Sequence, residues 1–303
     1  HRRRPILSER HAVDVVWGMQ TDTFMLMRQR FRALHERGCF VMPNPWDLGS
    51  ARFLQSLGFP ALASTSAGFA FSRGLPDTDT AVPRADVLAH LTELCAAVDL
   101  PVNADFSSGY GIDPAAVADS VTRCVATGVS GLSVEDRTPD PQEPLYELPL
   151  AVERVAAARQ AIDATGSGVL LTARAECFLV GHPDPLRESV RRLQAFAAAG
   201  ADVLYAPGVS APEQIRTLVE AVAPKPFNLV VGRDVPFNVE QATALGVRRI
   251  SIGGSLARAA WTGFMHAARR LAAGQFDGFA NITPSAELNT FFTHDYARRQ
   301  SAR

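Results

Sequence analysis

Four charged side chains stand where this sequence could do chemistry. Asp105 closes the run Pro101-Val102-Asn103-Ala104-Asp105, and Glu135 closes Gly131-Leu132-Ser133-Val134-Glu135. Arg174 lies near the end of Val169-Leu170-Leu171-Thr172-Ala173-Arg174-Ala175-Glu176, and Asp77 ends Gly74-Leu75-Pro76-Asp77. The first three finish short apolar runs that read as buried strands, so charge appears where the chain leaves the core. Carboxylates converging from neighbouring strands suit a hard cation, Mg2+ or Mn2+, which takes oxygen ligands and keeps several waters. A guanidinium at the same mouth suits a substrate carboxylate, which it can grip with two parallel hydrogen bonds. The competing reading is structural: Asp105 and Glu135 as helix caps or ion-pair partners, and Arg174 as a partner of Glu135 or Glu176.

Weaker signals accompany these. Ser64-Thr65-Ser66-Ala67-Gly68 consists of small residues whose backbone N–H groups could hold an anion. Gly109-Tyr110-Gly111 permits a tight turn and a close backbone approach to a ligand. Cys177 has no neighbouring histidine base and reads as an inert thiol. His90 falls within a helical stretch and reads as outer packing.

The elements that must position these residues repeat along the chain. Strands are expected at 39–42, 61–64, 102–105, 132–135, 169–173, 203–206, 227–231 and 249–252. Helices are expected at 24–37, 50–57, 114–127, 150–165, 184–199, from 211, at 238–246 and at 256–273. Asp113-Pro114 and Asp184-Pro185 are N-cap and first-turn pairs, and glycines at 38, 128, 166 and 200 stop helices. Eight strands with crossovers between them imply a parallel sheet closed into a (β/α)8 TIM barrel of the α/β class, whose chemistry gathers at the C-terminal strand ends. The alternative, a doubly wound open sheet, lacks a GxGxxG after the first strand. The barrel is expected over residues 25–275. Residues 1–24 read as a mobile N-terminal extension, and 276–303 as a tail that packs on the barrel or on a neighbouring subunit.

Composition bounds the function classes. The 303 residues are 47% hydrophobic and 20% charged with a net charge of -1, which suits one large core and offers no basic field for nucleic acid. No apolar stretch reaches the roughly 18–20 residues that span a bilayer, so a membrane is not an expected partner. Four scattered cysteines and seven histidines form no CxxC or HExxH pattern, which gives zinc little support and leads us to expect a cytoplasmic location.

Taken together, Pro43-Asn44-Pro45-Trp46-Asp47, Gly49-Ser50-Ala51-Arg52, Ser64–Gly68, Gly74–Asp77, Asp105 with Gly109-Tyr110-Gly111, Val134-Glu135-Asp136 and Ala173-Arg174-Ala175-Glu176 resemble, in the same order, the isocitrate lyase/phosphoenolpyruvate mutase superfamily. The resemblance covers about residues 28–275. It implies a Mg2+-dependent enzyme (Mn2+ as a substitute) that makes or breaks C–C or P–C bonds of small 2-oxo or 2-hydroxy carboxylic acids through an enolate. By this resemblance Asp105 is the direct metal ligand, and Asp77 and Glu135 hold the metal through water. Arg174 takes the substrate carboxylate, and the backbone of Thr65, Ser66 and Ala67 holds its oxo-acid end. Trp46 and Asn228 complete the candidate substrate-binding set, and Asp77, Arg174 and Glu135 form the catalytic one. Homodimers or homotetramers that exchange the helix after strand eight are also implied.

Three departures are visible. The usual Asp-x-Asp is Asp105-Phe106-Ser107, the lyases' Lys-Lys/Arg-Cys-Gly-His loop is absent after Glu135, and Pro207 stands where Glu or His is usual. The leading expectation is therefore a C–C lyase acting on a small 2-oxo- or 2-hydroxydicarboxylate, with Tyr205, Tyr110 or water as proton donor. A phosphonopyruvate hydrolase or phosphoenolpyruvate mutase-like enzyme, an oxaloacetate decarboxylase and a non-catalytic 2-oxo acid binder are the alternatives.

Overall fold

The computed structural model describes residues 9–78, 80–232, 235 and 237–301, with side chains from residue 22 onward. Helix α1 spans Glu9–Leu34 and leads into β1 (Phe40–Met42), α2 (Leu48–Ser56) and β2 (Leu62–Ala63). Two helices, α3 (Ser66–Ser72) and α4 (Arg84–Ala97), precede β3 (Val102–Ala104). Strand and helix then alternate through α5 (Pro114–Ala126), β4 (Gly131–Glu135), α6 (Leu148–Ala164), β5 (Leu170–Arg174), α7 (Pro185–Ala198), β6 (Val203–Tyr205), α8 (Pro212–Val222), β7 (Phe227–Val230), α9 (Val239–Ala244) and β8 (Arg249–Ser251).

The strands pair in the order β1-β8-β7-β6-β5-β4-β3-β2, and every ladder is parallel. The remaining seam, between β1 and β2, is bridged by Ala63 N–H donating to Pro43 O at 3.0 Å. Asn44 reinforces it. Its Nδ2 donates to Ser64 O at 2.7 Å, while its Oδ1 accepts from the N–H groups of Ile252 and Gly253, each at 3.0 Å. One amide thus ties the loops after β1, β2 and β8 together, and the eight strands form a nearly closed barrel. Outer helices begin where side chains satisfy their first N–H groups: Asp113 caps α5 and Asp184 caps α7, each with proline in the first turn.

Helix α1 anchors the opposite end. Phe31 is fully buried with Phe40, Met42, Ala61, Ala63 and Leu170. Arg28 donates to Val129 O at 3.0 Å and Val125 O at 2.9 Å, covering carbonyls at the end of α5. The bounds of this helix differ from the sequence expectation. The helix begins at Glu9 rather than Phe24, inside the segment set aside as an extension, and ends at Leu34 rather than Arg37. Two further differences concern Ser66–Ser72, which is helical rather than loop, and the tail, which contains a helix.

The chain divides into two compact units, one ending at Gly254 and one starting at Ser255. The second holds α10 (Ser255–Ala272), a 3-10 turn (Asp277–Phe279) and α11 (Ser285–Ser301). Arg270 pairs with Asp277 there, and Arg298 and Arg299 both hold the buried Asp295 at 2.9 Å. Trp261, Phe264, Met265 and Leu271 of α10 are exposed on this chain. No described helix is long and apolar enough to cross a membrane.

The barrel's interior holds a cation. Arg249 is 2% exposed and donates to Asn228 Oδ1 at 2.7 Å and Thr172 Oγ1 at 3.0 Å, with His35 Nε2 at 3.3 Å. Its ring nitrogen facing the cation, His35 places Nδ1 at 2.7 Å from Phe31 O, so Nδ1 carries the proton and Nε2 accepts. Burial, then the adjacent Arg249, pushes the His35 pKa down to about 3. The unfolded imidazole, near 6.5, takes a proton that the folded one refuses until about pH 3. The unfolded chain therefore binds more protons in that window, and this stabilisation is complete above 6.5 and is lost as pH falls. Urea denaturation should show stability dropping by about 1.4 kcal/mol per pH unit from this site below pH 6.5. His35→Gln should flatten that slope, and parallel slopes would contradict the assignment.

Candidate functional site

At the C-terminal mouth, three carboxylates converge on one guanidinium. Arg174 ends β5, in register with Glu135 of β4 and Tyr205 of β6. Its Nη1 lies 3.0 Å from Asp105 Oδ1, its Nη2 2.8 Å from Glu135 Oε2, and its Nε 2.9 Å from Glu176 Oε1. The Tyr205 ring lies beneath, 5.0 Å from the guanidinium carbon. Burial opposes the charge on Arg174, but Glu135 and Glu176 foremost outweigh it and hold the pKa well above the ordinary arginine value. Burial pushes the Tyr205 phenol up, so it stays protonated.

Each partner is fixed from behind. Asp105 Oδ2 accepts from Ser66 N–H at 2.9 Å, and Asp105 N–H donates to Ser64 Oγ at 2.9 Å. The small-residue stretch after β2 thus spends one of its amides on the carboxylate of Asp105. Glu176 N–H donates to Asp136 Oδ1 at 2.9 Å, and Asp136 is paired with Arg192 at 3.0 Å. Burial pushes Asp136 up to about 6, against the pull of Arg192. Arg192 also donates to Tyr146 O at 2.8 Å.

The loop after β3 is held in the same way. Ser107, Gly109 and Tyr110 have φ of 48°, 84° and 53°. Such left-handed backbone is uncommon for Ser and Tyr, and it has to be held by its surroundings. Arg154, 1% exposed on α6, donates to the carbonyls of Ser108, Gly111 and Ile112 and stacks on Tyr146 at 4.0 Å.

Beside this cluster lies a narrow recess with room for about one water-sized group before it opens to solvent. Asp105, Ser66, Thr65, Ser107, Tyr110 and Asp77 line its polar side; Phe69, Val82, Val87, Leu91 and His90 line the rest. Asp77 is exposed, Thr65 is buried, and Ser66 and Ala67 are half-buried. Arg174 thus gathers Asp105 and Glu135, and the recess joins Asp77, Thr65 and Ser66 to Asp105. Trp46 is half-buried after β1, and Asn228 is committed inside the barrel to Arg249 and Ser251; neither lines the recess.

His90, read from the sequence as outer packing, is 7% exposed and stacked on Phe69 at 4.0 Å, and it also lines the recess. Arg154, Arg192 and His90 were not identified as site residues from sequence. The signal was present, because each occupies a buried position on an otherwise apolar helix face: Ala151, Arg154, Val155 and Ala158; Ser189, Arg192, Leu193 and Phe196; Val87, His90, Leu91 and Leu94. Cys177 is fully buried, and burial pushes its thiol up to about 11.

Among the described residues no group of three or more His, Cys, Asp or Glu side chains is placed to hold a metal ion by itself. The charge balance is nonetheless negative. One guanidinium against Asp105, Glu135 and Glu176 gives a formal +1 against −3, with Asp77 a further acid on the recess.

Known proteins resemble this chain over most of its length. The phosphoenolpyruvate phosphomutase family profile matches residues 31–272. The Mycobacterium tuberculosis protein Rv1998c is 29% identical over 273 residues, covering 89% of this chain and 98% of its own. An oxaloacetate decarboxylase of Paraburkholderia xenovorans is 31% identical over 206 residues, 64% of this chain and 66% of its own. A solved Burkholderia cenocepacia structure, of a protein provisionally assigned as a lyase or mutase, superposes with a TM-score of 0.84 at 42% identity, covering 89% of this chain and 97% of its own.

Two outcomes follow from the supporting contacts. Arg154→Met strands three loop carbonyls and should cost about 2–4 kcal/mol in denaturant unfolding. Hydrogen exchange at residues 107–112 should accelerate in that variant, and unchanged protection would contradict the clamp. Iodoacetamide at pH 8 should leave Cys177 unmodified in the folded protein and label it in urea; labelling of the folded form would contradict its burial.

Proposed function

This chain belongs to the phosphoenolpyruvate mutase/isocitrate lyase superfamily, and from that membership we propose that it is a Mg2+-dependent carbon–carbon lyase acting on a small 2-oxo- or 2-hydroxydicarboxylic acid. The superfamily includes lyases and mutases, 2-methylisocitrate lyase and oxaloacetate decarboxylase among them. The observation that carries the reading is the Arg174 cluster. It offers a guanidinium for a carboxylate within a surplus of acid that calls for a divalent ion.

Mg2+ needs only one or two protein carboxylates because it retains waters, so Asp105 as direct ligand, with Asp77 and Glu135 acting through water, fits the donor set. When bound, the ion supplies fixed positive charge that favours negative charge developing on the oxo-acid oxygen. Arg174 takes the substrate carboxylate in place of one of its present carboxylate partners. Glu135 and Glu176 keep that guanidinium charged and aimed. Tyr110, on the recess beside Asp105, is the group assigned to return a proton to the product carbon. The Tyr205 hydroxyl, by contrast, is engaged with Ser251.

We also propose a homodimer or homotetramer in which the exposed apolar face of α10, carrying Trp261, Phe264 and Met265, seats on a second copy.

The test is a Mg2+ panel of oxaloacetate, substituted malates and phosphonopyruvate. Cleavage of a C–C bond in one of the carboxylic acids is expected, abolished by EDTA and reduced about 1,000-fold by Asp105→Ala. Tyr110→Phe should lower kcat about 100-fold with little change in KM. Turnover of phosphonopyruvate alone, no turnover at all, or activity indifferent to Mg2+ would overturn the reading.

A further inference from the structure

The proposed chemistry gives no role to His90 on the wall of the recess. Its ring is 7% exposed and lies flat against Phe69, 4.0 Å between centroids with 8° between planes. Its Nε2 is buried with no hydrogen-bond partner among the described residues. Leaving such an atom unpaired costs free energy, so native proteins usually supply a partner from protein, water or ligand. The recess that His90 lines opens beside Asp105, Ser66 and Tyr110.

The chemistry of the walls narrows what that partner can be. The charged groups lining the recess are Asp105 and Asp77, both acidic. The Arg73 guanidinium, which opposes charge on His90, lies over the Phe69 ring at 5.8 Å and pairs with Asp86 at the surface. Apolar Phe69, Val82, Val87 and Leu91 line the rest of the recess. No arginine or lysine lines the recess, so a second carboxylate reaching its His90 end would find no cationic side chain there. Burial also keeps the imidazole neutral, its pKa pushed down to about 4, so it offers a neutral hydrogen bond and no charge.

We propose that the recess is a specificity subsite for a small uncharged polar substituent, a hydroxyl or carbonyl, carried by the 2-oxo acid, and that His90 Nε2 is its hydrogen-bond partner. The inference rests on the 2-oxo acid reading and narrows its substrate class. A carboxylate gripped by Arg174 stays at the mouth, while the substituent reaches past Asp105 towards Phe69 and His90. A site built to hydrogen-bond a substituent discriminates against the isostere that lacks it, because the buried group is then left unpaired.

The experiment compares two near-isosteric probes, 3-hydroxypyruvate and 2-oxobutyrate, by calorimetric titration of the full chain with Mg2+ present. Wild type should bind 3-hydroxypyruvate about 5- to 10-fold more tightly, the worth of one neutral hydrogen bond. His90→Phe should erase that preference while leaving the 2-oxobutyrate Kd within about 2-fold, and His90→Gln should keep part of it. Should His90→Phe fail to fold, the wild-type His90 Nε2 nitrogen resonance decides, moving with 3-hydroxypyruvate and not with 2-oxobutyrate. Equal affinities in wild type, a preference that survives in His90→Phe, or a resonance that ignores both acids would each overturn the subsite. If neither acid binds to wild type, the broader 2-oxo acid reading falls first and the subsite with it.

Discussion

Arg174 lives in a mouth that water barely reaches, and a bare guanidinium there would be several kcal/mol out of balance. Asp105, Glu135 and Glu176 restore the balance, and each comes from a different part of the chain: the end of β3, the end of β4 and the residues following β5. Their meeting requires the strands to run parallel and in register, which the Glu135, Arg174 and Tyr205 row records. The same arrangement suits catalysis. With acid in excess of base, the mouth would suit the divalent cation proposed above, and a carboxylate ligand would compete for Arg174 against partners already in place.

The network behind the cluster has a common design. Asp136 with Arg192 fixes Glu176 through its backbone, and Arg154 holds the strained loop that follows Asp105. Both arginines project from outer helices toward the mouth, so helix packing and site geometry are one problem. Arg249 repeats the theme deeper in the barrel, where it donates to the neutral Asn228 and Thr172 and His35 must stay neutral beside it. Buried cations with dedicated acceptors restrict how strands can slide, at a cost in desolvation that hydrophobic residues would not incur.

Much of this was legible in the amino-acid order. Eight apolar runs, helix stops at glycine and Asp-Pro starts placed the barrel strands to within one or two residues, because each signal is local. The strand-end position of Asp105, Glu135 and Arg174 announced a shared mouth. Their mutual pairing was visible only as an alternative, since which acid faces which guanidinium depends on barrel register. Helix α3 was hidden because Ser66–Ser72 is short and begins among residues that also favour loops. The start of α1 was missed because the stretch before Phe24 is polar and charged enough to read as a tail. His90, Arg154 and Arg192 required one further step: treating a polar residue on an apolar helix face as a question about what lies beneath it.

The central claim is that the acid-rich mouth around Arg174 is built to receive a divalent ion. Anomalous diffraction from a crystal of the full chain soaked with Mn2+ and a 2-oxo acid tests it most directly. The account predicts one strong manganese peak beside the Asp105 carboxylate with the acid's carboxylate on Arg174. A peak elsewhere, or none while Arg174 keeps all three of its carboxylates, would contradict it.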